Sequence, residues 1–383
     1  MSMTHSYETG RVLAQRTAVL ADGHATLEKL DTFTGSASCT TVGDQLRLVR
    51  EEGARFRDVF AATGMPEYVE SFDLARVPYP TRFGLFRAHG AASPLLTFTN
   101  RLIVVRWRER SGSRKTLLWE PSDVALGRGT PFFAAMARAT PKWLQGFGFK
   151  HLGDPIDHVR RIGIDPREID YLAFDHLHTQ DCRRLVGTNG PAADLSPLAP
   201  VEPMFPNARL IVQRAEWELV HDMHPWQARW YQPETYRDLR SGSVQLIEGD
   251  VLLGPGVALL STPGHSSGMM SLVVRTTSGN WASSENVIAT ELLTPEHSEI
   301  PGVRKAAAEW GLEVVLNGNT LENTVQQYNS VIKEKSVIDP SVTDGRFLQF
   351  FPTSELTKNL AMPRTSPTFT FGRLHHGELI REA

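Results

Sequence analysis

Cysteine is almost missing from this chain: Cys39 and Cys182 are the only two in 383 residues, and they lie far apart. Two such residues make no disulfide framework, and a reducing compartment is expected. An excess of charge of one sign is also missing. Lys and Arg number 40 against 43 Asp and Glu, a formal net charge of −3, and no long basic run occurs. Nothing in that balance prepares the chain for a nucleic acid. No apolar run approaches the roughly 18 residues of a membrane span. Met1 to Arg16 is polar and lacks the apolar centre of a signal peptide. The expectation is a soluble, cytoplasmic protein without a membrane partner. Neither a Walker-type glycine loop nor a G-x-S-x-G elbow is present, so phosphate cradling and a serine nucleophile have no visible carrier.

What is present suits a globular fold. Hydrophobic content of 41% and charged content of 22% are ordinary, and the length permits a sizeable core. Residues 1 to about 75 read as helical. Asp44 stands where a cap belongs, and Leu46, Val49, Phe56, Val59 and Phe60 recur at helical spacing until Gly64-Met65-Pro66. From about residue 80 the texture changes to strands, over 95–98, 102–107 and 116–119. Helices are expected over 132–144 and 156–162, then a buried strand over 169–174. Strands over 209–212, 244–247, 257–260, 271–274 and 313–316 alternate with helices beginning near Glu216 and Ala306. The stretch from about 335 is rich in Pro, Thr and Phe and reads as an extended arm. These shifts divide the chain into an N-terminal helical extension (1–79), a central domain (80–334) and a C-terminal arm (335–383).

The chemistry concentrates in two short motifs. His176 and His178 stand two apart just past the 169–174 strand, in Asp175-His176-Leu177-His178-Thr179-Gln180-Asp181. In extended chain both rings project to one side, which suits chelation, although two satisfied structural histidines give the same pattern. His265 follows another strand, in Thr262-Pro263-Gly264-His265-Ser266-Ser267-Gly268, where glycine lets the backbone approach a site closely. Three imidazoles with an open face leave a metal its charge and let it activate water near neutral pH.

Together with their flanks, these motifs resemble the metallo-β-lactamase fold superfamily over residues 80 to 325. The flanks are Gly163-Ile164-Asp165-Pro166 and Ile169-Asp170, then Phe205-Pro206-Asn207-Ala208 and Glu216, then Glu248-Gly249-Asp250 and Pro255-Gly256-Val257. The resemblance implies an α/β fold: an αββα sandwich of two mixed β-sheets flanked by helices. It also implies a site. His176, His178 and His265 fall where the family's first metal is bound. Glu285, in Ser283-Ser284-Glu285-Asn286, falls where the family places a bridging aspartate. The second metal position departs from the family: Gln180 stands for an aspartate, Asp181 for a histidine, and Asn319 for the final histidine. Gln180 and Asn319 offer neutral carbonyl oxygens, poor partners for zinc.

One divalent ion is therefore expected, zinc in first place with iron or manganese as alternatives, with Asp181 and Glu285 as further ligands. Asp181 is open between general base and orienting a ligand ring; with Glu285 it makes the expected catalytic pair. Gln180, Asn319 and Trp226 are expected to bind substrate. Trp226 belongs to a 216–236 segment rich in Trp, Tyr and His that reads as a lid. Cys182 reads as a small buried filler.

The function these residues imply is hydrolysis of a small organic molecule, an ester, lactone, amide or activated aryl ether, by metal-activated water. Two rivals stay open. One is a mononuclear iron oxygenase using His176, His265 and Glu285; the other is a non-catalytic subunit of a heteromeric hydrolase. A homo- or hetero-oligomer is expected.

Overall fold

The computed structural model describes residues 27–88, 90, 93–139, 149–318, 323–359 and 365–379. Two sheets organise them. The larger has nine strands among the described residues. Its main path runs Val244–Ile247, Arg209–Gln213, Tyr171–Ala173, Arg114–Trp119, Leu95–Arg108, Tyr68–Pro80 and His375–Gly377. The first four of these pair in parallel and the rest antiparallel. The smaller sheet runs Glu28–Lys29, Val251–Gly254, Val257–Ser261, Met270–Thr276 and Gly279–Ser283, and its strands pair antiparallel.

Side-chain alternation explains the layering. Ile103, Val105 and Trp107 share one buried cluster with Val257, Leu259, Leu272 and Val274, so the two sheets face each other across it. One position out of phase, Leu102, Val104, Ala258 and Leu260 belong to another cluster, together with the helix residues Phe56, Phe60, Val159, Val331 and Ile332. Strands covered on both faces read as near-continuous apolar runs, which is how Leu102 to Val105 reads. The result is the expected α/β sandwich with helices outside. No described helix is long and apolar enough to cross a membrane.

Several expectations need correcting. The first long helix is Val42–Ala61, capped by Thr41, whose side chain accepts from the Asp44 amide. Asp44 is therefore an N-terminal-turn acid that accepts a hydrogen bond from the Thr41 hydroxyl, not the cap. After Gly64 the chain is not helical. Tyr68–Pro80 is a strand paired along Leu95–Arg108, so part of the stretch read as an N-terminal extension lies in the large sheet. The C-terminal arm also enters that sheet: Ser354–Leu356 pairs with Leu95–Arg108 and His375–Gly377 with Tyr68–Pro80. Such pairings are non-local, and local periodicity carries no signal of them. Residues 314–316 are buried, but 313–316 make no strand. They are pinned instead by Val315 donating to the Leu292 carbonyl and Leu316 accepting from Phe86. The expected 132–144 helix is seen as Pro131–Ala139, and its last expected residues lie outside the described ones.

The helix Thr324–Val337 was not anticipated, because its buried face is largely polar: Gln327, Asn329, Ser330, Lys333 and Glu334. Glu334 ties it to the small sheet. Its Oε1 accepts from Ser271 Oγ at 2.5 Å, Ser284 Oγ at 2.7 Å and Asn286 Nδ2 at 2.9 Å. Burial pushes this carboxyl up to about 7, against those three hydrogen bonds. A carboxyl whose folded pKa exceeds its unfolded value of 4.5 favours folding in acid and loses that contribution as pH rises toward 7. Glu334→Gln keeps the acceptor and removes the ionisation. Urea unfolding at about pH 5 and about pH 8 is expected to show the variant gaining on the wild type as pH rises, by up to roughly 3 kcal/mol. A pH-independent difference would show that Glu334 does not titrate in this window.

Candidate metal centre

The ends of three strands build the site. Asp175 to His178 follow Tyr171–Ala173 in the large sheet, at the carboxyl end of its parallel strands, where open α/β sheets place their ligands. His265 follows Val257–Ser261, and Glu285 follows Gly279–Ser283, both in the small sheet. The backbone of Asp175 joins the sheets: its N–H donates to Glu120 Oε1 at 2.5 Å and its carbonyl accepts from Met270 at 2.8 Å. The turn carrying His265 needs its glycines. Gly264 has φ +133, and a Cβ on it would lie 2.2 Å from the Gln327 nitrogen. A Cβ on Gly268 would lie 2.1 Å from the Glu216 nitrogen.

His176, His178 and His265 converge. They are buried, and one nitrogen of each lies within 4.8 Å of the other two. Ring centroids stand 4.3, 4.6 and 5.2 Å apart at steep angles, so the nitrogens face a common point and the rings do not stack. His176 Nε2, His178 Nδ1 and both nitrogens of His265 are buried without a hydrogen-bond partner. A buried polar atom left unpaired costs roughly 1–3 kcal/mol. Three such sites around one point fit a divalent cation, which pairs with all of them at once.

Electrostatics agrees. Burial and the neighbouring His176 hold His178 and His265 well below the ordinary imidazole value, so both rings are neutral, the form in which an imidazole can take a metal. Burial lowers His176 too, but Asp175 outweighs it through charge and a hydrogen bond and raises the ring to about 9. A cation arriving there displaces a proton.

The rings are held by carboxylates. Asp175 Oδ1 lies 2.6 Å from His176 Nδ1, which leaves Nε2 for a metal. Glu216 is buried and takes three donors: Leu177 N–H at 2.8 Å and Tyr231 O–H at 2.8 Å on Oε1, and Ser266 O–H at 2.6 Å on Oε2. Leu177 sits between the two motif histidines and Ser266 follows His265. One carboxylate therefore clamps both histidine loops.

No family model matches the chain. It is 33% identical over 120 residues to an N-acyl homoserine lactonase of Bacillus cereus, a stretch covering 31% of this chain and 38% of that protein. To the N-acyl homoserine lactonase AiiA of Bacillus thuringiensis subsp. kurstaki it is 31% identical over 121 residues, covering 32% of this chain and 39% of that one. The chain thus spans about two fifths of the length of the curated relatives it matches. Among solved structures it is similar to a quorum-quenching N-acyl homoserine lactone lactonase: TM-score 0.48, 17% identity, covering 78% of this chain and 95% of that one. It is also similar to AidC, a dizinc quorum-quenching lactonase: TM-score 0.43, 10% identity, covering 83% and 97%. The chain has facing sheets flanked by helices, with a histidine trio drawn from an end of each. Both are in keeping with the resemblance to the metallo-β-lactamase fold superfamily.

The other expected site residues are scattered. Among the described residues the three histidines alone form the mutually close ligand set. Glu285 lines the same cavity, and its Oε1 lies 3.4 Å from Asn317 Nδ2. Asp181 is turned away into an ion pair. Arg183 grips both its oxygens, with NH2 to Oδ2 at 2.7 Å, and reaches Asp194 as well. Gln180 lines the cavity and its carbonyl accepts from the Tyr236 hydroxyl at 2.7 Å. Trp226 is 66% exposed and does not line the cavity; Trp230 does, with its ring 5.7 Å from His178. The aromatic-rich segment has no periodicity from which to choose between them. Asn319 lies outside the described residues. Cys182 is buried and its thiol is pushed well up by that burial, so it carries no thiolate. His221 and His224 join no metal-type cluster among the described residues.

Sequence reasoning missed Glu120, Asp175 and Glu216 as working residues. Glu120 carries φ +60 and Thr179 φ +61, and both line the cavity. Non-glycine residues in that conformation gather at functional sites. The cavity measures about 490 Å³, and its wall includes Val77, Leu95, Phe98, Phe133, Met136 and Trp230.

Proposed function

We propose that this protein is a metal-dependent hydrolase of a small organic substrate with an apolar body, an ester or lactone in first place. The observation that carries the reading is the set of unpaired, buried nitrogens on three converging imidazoles, two of whose rings line an apolar cavity. An ion held by His176, His178 and His265 supplies Lewis acidity and brings the pKa of water toward neutrality. Asp175 keeps His176 in the tautomer that presents Nε2. Glu285, held by Asn317, offers the cavity an acceptor that orients water. Trp230 and Tyr231 close over His178 and limit bulk water there. The apolar wall takes an acyl chain or a ring. N-acyl homoserine lactonases are the relatives in sequence, which supports an acyl-bearing lactone.

The same reading gives one ion, zinc, per chain. Imidazole nitrogens suit zinc. Asp181 is already neutralised by Arg183, and Gln180 brings no charge to a second cation. Elemental analysis of wild type and Asp181→Ala tests this. The expected result is about one zinc in each, with hydrolysis of acyl lactones or aryl esters abolished by a chelator and restored by zinc. Two tightly held ions in the wild type would overturn the single-ion assignment. Iron with oxygen consumption would favour the oxygenase, and absence of bound metal would sink the hydrolase reading.

A further inference from the structure

The C-terminal arm reaches the centre of the molecule. Thr353, Ser354 and Glu355 are buried, and Ser354–Leu356 pairs with Phe98 to Asn100 beside the cavity. Glu355 forms an ion pair with the buried Arg101, which fixes the register of this short strand. Backbone bonds pin it further: Thr353 N–H donates to the Ser284 carbonyl at 3.2 Å and its carbonyl accepts from Arg101 at 2.9 Å.

Two hydroxyls, on the first residue of this strand and on the one before it, meet the two carboxylates beside the histidine trio. Thr353 Oγ1 donates to Asp175 Oδ2 at 2.9 Å, on the same oxygen that accepts the Glu285 N–H at 2.6 Å. With Oδ2 so occupied, Oδ1 is aimed at His176 Nδ1. Ser354 lines the cavity and hydrogen-bonds to the Glu285 side chain. Asn100 Nδ2 donates to Ser354 Oγ at 2.7 Å, so the single hydroxyl proton of Ser354 is left to donate onward. The chain Asn100, Ser354, Glu285 therefore runs in one direction and ends on a carboxylate acceptor.

We propose that Thr353 and Ser354 are positioning residues of the metal centre, so that the centre is incomplete without the C-terminal arm. Thr353 acts through Asp175 on the His176 ring, and Ser354 acts on Glu285. This rests on the metal site proposed above. A covering strand alone would need neither hydroxyl. Val and Ala at these positions keep the backbone pairing and most of the packing, and remove only the hydrogen bonds.

The test is zinc affinity by chelator competition on full-length wild type, Thr353→Val, Thr353→Ser and Ser354→Ala, with the visible spectrum of the cobalt-loaded proteins and thermal melts of the metal-free ones. Zinc binding is expected to weaken roughly ten- to hundredfold in Thr353→Val, the range for partners behind metal ligands, and to return to within about threefold of wild type in Thr353→Ser. Ser354→Ala is expected to shift the cobalt spectrum; should Thr353→Val not fold, that result decides alone. Melting temperatures that fall while zinc affinity and cobalt spectrum stay those of wild type would make the arm a structural brace and overturn the proposal. A wild type that binds no zinc would instead overturn the metal site itself.

Discussion

His265→Ala is expected to leave a folded protein that retains almost no metal and loses hydrolytic activity by roughly a thousandfold or more. The size follows from what the ring does. Residues behind metal ligands typically cost ten- to hundredfold when removed, and His265 is one of the three rings that meet at the site among the described residues. The fold survives because neither nitrogen of His265 bonds to anything in the protein. Truncation leaves no donor or acceptor newly unpaired, and it removes a buried polar ring whose burial is unfavourable without a cation. Metal-free variant and metal-free wild type should thus melt at similar temperatures, while added zinc raises the melting temperature of the wild type alone. Elemental analysis and melts with and without zinc read both effects. A variant that keeps a full equivalent of zinc would show that the trio does not bind the ion.

Glu216→Ala is expected to be the most destabilising single change at the site. Its carboxylate is the acceptor for Leu177 N–H, Tyr231 O–H and Ser266 O–H, all in buried surroundings. Removing it strands three donors, each at roughly 1–3 kcal/mol, so a loss of about 3 kcal/mol or more is expected in urea unfolding of the metal-free protein. Zinc affinity should fall as well, by ten- to hundredfold, because the loops carrying His176 and His178 and the loop carrying His265 lose their common anchor. Glu216→Gln should lie between, since its amide retains one acceptor. Wild-type stability and zinc affinity in Glu216→Ala together would show that the clamp is incidental.

The two outermost carboxylates of the reading fared differently. Glu285 is at the cavity, as its place after a strand of the small sheet requires. Asp181 is not, although it lies only three residues from His178. Thr179, at φ +61, turns the chain between them, and Arg183 two residues on supplies a cation. A short stretch of sequence shows which charges are near one another but not which of them a turn will separate.

The elements legible in the chain are those whose signal is local. Strand 171–173 before His176, strand 257–261 before the Pro-Gly-His turn, and the glycines at 264 and 268 all announce themselves, because alternation and backbone constraint act over a few residues. The sequence by itself therefore determined which three imidazoles could meet and the sandwich that carries them. Tertiary structure alone decided that Tyr68–Pro80 and the C-terminal arm join the large sheet, that Glu216 clamps loops from both sheets, that Trp230 and not Trp226 faces the cavity, and that Thr353 and Ser354 hydrogen-bond to Asp175 and Glu285. Each of those depends on contacts between residues tens to hundreds of positions apart. Their energy is realised only when the chain closes on itself, so no window of neighbouring residues records it.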